Sequence, residues 1–300
     1  MNLNPHLPKN GLVIHWDMWY GCNLNCPYCF YNESRKDLQK KEAKVNATDW
    51  VNGFVKLNRP LFIAIDGGEP FLKKDFINLI SQLQKFAILG IATSLTKDLT
   101  EFIEVVNFSR IARMLLSFHP TLSQPINIFI ERVNQLKLAG LKTYVINCVA
   151  YPEFLTDIPK YYLTFKEAGL KMHVTRFVGT YKGKNYPQEY SSKELNILSQ
   201  FMLNPINEIQ ISKNNEPNGR LCGAGNKFIY VGADGNVSRC CHNTNKIIGN
   251  ILEGNFLLEK QCSPCYAEAC YAFQAIERGI TPFLSLEDAK SNTKLFYSSL

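Results

Sequence analysis

The chain has 300 residues, 46% hydrophobic and 20% charged, which excludes a disordered polymer and suffices for one large core plus a small module. Its formal net charge is +7, from 33 basic and 26 acidic side chains, and the basic residues are scattered apart from short pairs such as Lys40 with Lys41, which argues against a nucleic-acid footprint. No apolar run is long enough to span a bilayer and the opening MNLNPHLPKNGLVIHWDMWYG lacks a signal-peptide core, so the chain reads as cytoplasmic, where those of its ten cysteines that cluster at short spacings are expected to bind metal or do redox work rather than form disulfides.

In chain order, the first apolar run, residues 12–16, reads as a strand and leads into YGCNLNCPYCFYNE, residues 20–33. There Cys22, Cys26 and Cys29 stand in a C-x3-C-x2-C spacing. A structural zinc ion wants four closed ligands, and the fourth is missing: His15 is the nearest candidate, and the next cysteine is Cys148. Three thiolates on an iron–sulfur cube leave one iron open to a ligand from elsewhere. Thr48 and Asp49 can cap a helix through Asn58. A second strand, residues 61–66, runs into DGGEP, where two glycines permit close backbone approach and Glu69 can accept hydrogen bonds from an ammonium group.

Residues 74–89 carry a helical apolar stripe closed by Gly90, and residues 90–95 form the third strand, ending in TSLT. A helix from Lys97, a strand at 113–118 ending in SFHP, and a helix from Pro125 closed by Gly140 follow. The fifth strand, 142–149, carries Asn147 and Cys148 on opposite faces, Cys148 toward the helix layer as a small core residue. A helix from Glu153 closed by Gly169, a strand at 171–177 carrying Arg176, the tyrosine-rich loop GTYKGKNYPQEYS and a helix from Ser191 complete six βα units. Doubly buried strands joined by helices predict a parallel sheet with right-handed crossovers. Six units give a partial (β/α)6 TIM-like barrel, an α/β fold with ligands at the carboxyl ends of its strands.

Beyond residue 212 the rhythm stops, which divides the chain into a barrel, 1–212, and a C-terminal module, 213–300. Residues 228–231 and 236–239, joined by GADG, predict a β-hairpin. Cys222 precedes it, Cys240 and Cys241 end it, and Cys262, Cys265 and Cys270 follow. Such thiolates on a hairpin suit zinc or an iron–sulfur cube. Adjacent strand residues face opposite ways, so one of Cys240 and Cys241 is expected to be a ligand.

The cysteine loop, GGEP after strand two, SFHP after strand four and the six βα units together resemble the radical S-adenosylmethionine (SAM) enzymes over most of the chain. The resemblance implies a [4Fe–4S] cluster on Cys22, Cys26 and Cys29, with SAM on its open iron through amine and carboxylate. Reductive cleavage of SAM would then give a 5′-deoxyadenosyl radical that takes a hydrogen atom from substrate. It further implies Tyr28 near the adenine, Gly67, Gly68 and Glu69 at the SAM amine, and Ser117, Asn147 and Arg176 at the ribose or carboxylate. The family often has an asparagine-glycine turn where this chain has TSLT, a departure that bears on Ser94.

The run C-x12-G-x4-C followed by C-x2-C resembles the Twitch domain, the shorter relative of SPASM, and implies one auxiliary [4Fe–4S] cluster. Its expected ligands are Cys222, Cys240, Cys262 and Cys265, with Cys270 in reserve. Cys241, left over, would be a catalytic thiol returning a hydrogen atom to the substrate radical. The implied reaction is epimerisation or oxidation of a small molecule, sugar or peptide in natural-product or cofactor biosynthesis, with a flavodoxin- or ferredoxin-type electron donor. A peptide-modifying maturase is the alternative, against which the first strand starting near residue 12 weighs. A non-catalytic zinc or iron–sulfur binding module is the alternative of another class.

Overall fold

The run LVIHWDMW is apolar on one face and mixed on the other, and it forms a strand, β1 (Leu12–Trp19), buried along most of its length. The computed structural model describes residues 10–211, 216–242, 244–277 and 280, with β1 in the middle of a nine-stranded sheet. After it come α1 (Arg35–Lys41), α2 (Ala47–Val55), β2 (Leu61–Gly67), α3 (Phe76–Leu83), β3 (Ala87–Thr93), α4 (Thr100–Val105), β4 (Ile111–Phe118), α5 (Ile126–Leu138), β5 (Tyr144–Ala150), α6 (Ile158–Glu167) and β6 (Met172–Arg176). A hairpin of β7 (Gly179–Tyr181) and β8 (Lys184–Tyr186) leads to α7 (Ser192–Leu198) and α8 (Pro205–Gln210). The C-terminal part holds β9 (Leu221–Cys222), β10 (Phe228–Val231), β11 (Asn236–Ser238), β12 (Ile247–Asn250), β13 (Ser263–Pro264) and α9 (Phe273–Glu277).

Strands β1 to β6 pair in parallel and in sequential order, each helical crossover returning the chain to the same end of the sheet. The sheet order ends at β6 on one side and β12 on the other, so the barrel is open, as the six-unit pattern predicts. Strand β10 pairs in parallel with the free edge of β1, in the register Val13↔Phe228 to Trp16↔Val231. Strands β11 and β12 continue antiparallel, so the predicted hairpin extends the barrel sheet. The expected boundary near residue 212 and the tail from 281 to 300 lie outside the described residues.

The outer core lies between sheet and helices. Phe118 is its aromatic hub, with ring centroids 5.3, 5.1 and 5.3 Å from those of Phe129, Tyr161 and Phe165. The inner face is packed separately: Val13, Phe62, Ile88 and Phe228 meet Ala272, Ala275 and Ile276, so α9 and the turn before it plug the barrel from inside.

Two local expectations shift. The helix predicted over 74–89 ends at Leu83, and the third strand begins at Ala87, because a short run such as AILGIAT fits a buried strand as well as a helix end. Gly90 is therefore no helix closer but a mid-strand residue whose added Cβ would lie 2.9 Å from Phe62 Cζ. Asn46 rather than Thr48 caps α2, in a reciprocal box with Asp49. Gly140 and Gly169 do close their helices, with φ of 107° and 69°.

Phe118→Ala removes the hub ring and is expected to cost about 3–5 kcal/mol in equilibrium urea unfolding, the range for buried aromatic truncation. A loss below about 1 kcal/mol would mean that the cluster around it repacks.

Candidate active site

The cysteine loop leaves the carboxyl end of β1 and folds back on itself, with Cys29 N–H donating to Cys26 O at 3.1 Å and Asn32 N–H to Cys29 O at 3.1 Å. Leu24 N–H points at Cys22 Sγ, 3.4 Å away. Arg35, which opens α1, closes the loop from the other side: Nη1 donates to Leu24 O at 3.0 Å and Nη2 to Cys29 Sγ at 3.3 Å. Burial, then the charges of Cys22 and Cys29, push the Cys26 thiol up to about 12. Burial raises the Cys22 thiol as well, so both of these thiols stay protonated until a cation binds them.

The GGEP loop docks directly on this segment. Gly68 N–H donates to Trp19 O at 2.7 Å and Glu69 N–H to Gly21 O at 2.8 Å. A Cβ on Gly68 would lie 2.0 Å from Gly21 O, and one on Gly67, whose φ is +119°, 2.3 Å from Trp19 O. Both glycines are therefore required by backbone contact within the protein.

Glu69 is buried, and its carboxylate is spoken for. Oε1 accepts from Thr93 Oγ1 at 2.8 Å and Phe71 N at 3.3 Å, and Oε2 accepts from Ser94 N at 2.7 Å and from the Ser94 hydroxyl. The TSLT segment is the receptor for Glu69, and its Thr96 hydroxyl reaches Asn23 Oδ1 of the cysteine loop at 3.2 Å. The ends of β1, β2 and β3 form one hydrogen-bonded unit.

Of the remaining barrel candidates, Ser117 and Arg176 lie at the ends of β4 and β6 as expected, whereas Asn147 sits in the middle of β5 and Tyr28 lies in the cysteine loop. Tyr28 shares a 3.0 Å hydrogen bond with His119 Nδ1, stacks on that ring and meets Tyr151. Burial holds His119 neutral, lowering its pKa to about 4. Ser117 and Asn147 are register partners, and Asn147 Oδ1 accepts from Thr175 Oγ1 at 2.6 Å. Arg176 Nε pairs with Glu208 Oε1 at 2.9 Å, so its guanidinium is tied to α8. Cys148 is fully buried in the outer core.

Sequence reasoning missed a polar group in the lumen. His15 Nε2 lies 3.3 Å from Asp17 Oδ1 and 3.4 Å from Asp66 Oδ2. Asp17 Oδ2 accepts from Tyr31 and Tyr230 hydroxyls, each at 2.7 Å, and Asp66 Oδ2 accepts from Gln274 Nε2 at 3.0 Å. Burial opposes the imidazolium, but Asp17 and Asp66 outweigh it and raise His15 to about 9. The available signal was the two-residue spacing of His15 and Asp17, which puts both on one strand face.

In the C-terminal part, Cys222, Cys240, Cys265 and Cys270 line a cavity of about 270 Å³. Cys241 lies beside it, its Sγ 4.0 Å from that of Cys240. Among the described residues no three His, Cys, Asp or Glu side chains converge on a point for a single ion. Sulfur donors around an otherwise largely apolar hollow fit the cysteine ligation of an iron–sulfur cube. Among the described residues no helix is long and apolar enough to cross a membrane.

No family model matches the chain, and no curated protein matches it either. Solved structures do. Native anSMEcpe with bound AdoMet aligns with a TM-score of 0.58 at 18% identity, covering 95% of this chain and 96% of that one. The same protein with bound AdoMet and Cp18Cys peptide aligns with a TM-score of 0.53 at 18% identity and the same coverage. SuiB from Streptococcus suis aligns with a TM-score of 0.56 at 17% identity over 81% of this chain, which spans 64% of the SuiB chain. At this identity the likenesses bear out the expected fold, a partial TIM-like α/β barrel with a largely parallel sheet.

Glu69→Gln places an amide N–H₂ among donors. Loss of a charged acceptor costs about 1.5–3 kcal/mol, so the variant is expected to melt at a lower temperature in a thermal scan. An unchanged melting temperature would mean that the four hydrogen bonds to the carboxylate do not hold the loops together.

Proposed function

We propose that the chain is a radical SAM enzyme. The observation that carries this reading is the single hydrogen-bonded unit formed by the three-cysteine loop, GGEP and the end of β3 at the carboxyl edge of the sheet. Cys22, Cys26 and Cys29 would hold a [4Fe–4S] cluster, and Tyr28 with the Gly67–Glu69 loop would flank SAM. When bound, these groups supply a 5′-deoxyadenosyl radical that removes a hydrogen atom from an unactivated carbon.

The residues of the chain itself set what is bound beneath. Asp17, His15 and Asp66 line the lumen, and His15 Nδ1 is buried without a hydrogen-bond partner among the described residues. Such a floor favours a small substrate bearing hydroxyl or amino groups. The tyrosine-rich loop packs against the protein, Tyr181 on Tyr151 and Tyr186 on Tyr190, which speaks for a structural role rather than a free stacking platform. A peptide substrate is the second reading, favoured by the likeness to anSMEcpe bound to a peptide.

After hydrogen abstraction two fates remain. A second cluster held by the C-terminal cysteines would supply one-electron oxidising chemistry, with a lumen base placed to take the proton, and the outcome would be oxidation. Alternatively the Cys241 S–H gives its hydrogen atom to the carbon radical, leaving a thiyl radical that takes up an electron and a proton before the next turnover, giving epimerisation. A flavodoxin- or ferredoxin-type protein would supply the first electron.

Anaerobically reconstituted protein is expected to hold about eight irons per chain. Joint replacement of Cys22, Cys26 and Cys29 by alanine should leave about half and abolish SAM cleavage; full iron retention would sink the barrel-cluster assignment. Cys241→Ala should keep its iron and still form 5′-deoxyadenosine with substrate, but without product if the thiol is the hydrogen donor. Normal turnover by that variant would favour oxidation.

A further inference from the structure

Six cysteines crowd the C-terminal part, and the C-x2-C spacing nominates Cys262 and Cys265 as a pair. The geometry points to a different set. We infer that, on the radical SAM reading above, the second cluster is held by Cys222, Cys240, Cys265 and Cys270, with Cys262 outside the ligand set.

Two observations independent of each other support this. The first is the cavity, which all four of these cysteines line and Cys262 does not. The second is strand register. In the antiparallel pair β9/β13, Ser263 stands opposite Cys222 and Pro264 opposite Leu221. Residues directly opposite share a face, and faces alternate along a strand. Cys265 therefore continues the face of Cys222 and Ser263, whereas Cys262 shares the face of Pro264 and Leu221. Leu221 is 67% exposed, so that face looks outward.

The register is clamped. Cys265 N–H donates to Arg220 O at 2.8 Å and Gly219 N–H to Cys265 O at 2.9 Å. The buried Arg239 guanidinium bonds Pro264 O at 2.6 Å, Ser263 O at 2.7 Å and Ala224 O at 3.0 Å, fixing the segment beside Cys222. Turning Cys262 inward would break these bonds and slip the pair by one residue. Cys270, by contrast, is 5% exposed and already inside, just ahead of α9. As a ligand it would tether α9, whose Gln274 holds Asp66 in the lumen, to the second cluster.

The test uses the full-length chain with Cys22, Cys26 and Cys29 replaced by alanine, so that any iron belongs to the second site. After anaerobic reconstitution, iron and sulfide are counted and the electron paramagnetic resonance spectrum of the reduced form recorded. Adding Cys262→Ala should leave about four irons per chain, and adding Cys270→Ala should remove more than half of them. Because Cys270→Ala truncates a buried side chain, unsubstituted holoprotein is also treated with iodoacetamide and mapped by mass spectrometry. Cys262 should be alkylated in the native holoprotein, and Cys270 only after the cluster is stripped. Iron loss on Cys262→Ala, or Cys270 labelled while the iron stays bound, overturns the ligand set while sparing the second cluster. A triple-alanine parent without iron, or with zinc in its place, overturns the cluster reading itself and the ligand set with it.

Discussion

Everything at the mouth of this barrel depends on how closely two backbones approach. The segment Trp19–Gly21 and the segment Gly67–Glu69 exchange hydrogen bonds at 2.7 and 2.8 Å with no room for a side chain between them. That contact fixes where the cysteine loop leaves β1. It also aims Glu69 into the end of β3, where three donors meet its carboxylate and Phe71 N–H adds a fourth from its own loop. A buried carboxylate carrying that many hydrogen bonds resists rotation. Glu69 thus acts as a peg that holds three loops in register. A ligand arriving at the strand ends meets a frame that is already assembled.

Strand β1 carries the coupling further because it is buried on both faces. Its outer side chains, Leu12, Ile14 and Trp16, belong to the main core, whereas His15 and Asp17 face the lumen. Asp17 accepts from Tyr31, two residues past Cys29, and from Tyr230 on β10. One carboxylate therefore joins the first cysteine loop to the strand that leads toward the second group of cysteines. Displacing either partner leaves a buried charge short of a donor, which makes the two halves energetically interdependent.

How much of this was legible in the sequence follows from range and periodicity. Strands β1, β2, β4, β5 and β6 could be read because doubly buried parallel strands are continuous apolar runs. The third was misread at its start, since AILGIAT after a helical stripe carries no punctuation, and Gly90 looked like a helix closer when its smallness serves Phe62 on the neighbouring strand β2. The three-cysteine loop was legible as a candidate site because its cysteines are local. The lumen group was not: Tyr230 and Gln274 reach Asp17 and Asp66 across 213 and 208 residues of chain. Nor could the sequence choose among six cysteines, because spacing counts residues, whereas ligation depends on which face of a two-residue strand each one takes.

The lumen group also bears on what the barrel is for. Burying two carboxylates and an imidazole incurs a desolvation cost that their mutual attraction repays only with good geometry, and a well-packed apolar set is often at least as stable. The surrounding barrel is built for such packing, with Ala64, Phe62 and Ile88 on neighbouring inner positions. Stability alone gives no reason for His15, Asp17 and Asp66 to stand there. A polar floor between the three-cysteine loop and a second hollow lined by cysteines is what the proposed reaction needs when it must orient a hydrogen-bonding substrate and move a proton while electrons travel elsewhere. The cost in stability and the proposed chemistry thus point to the same three side chains.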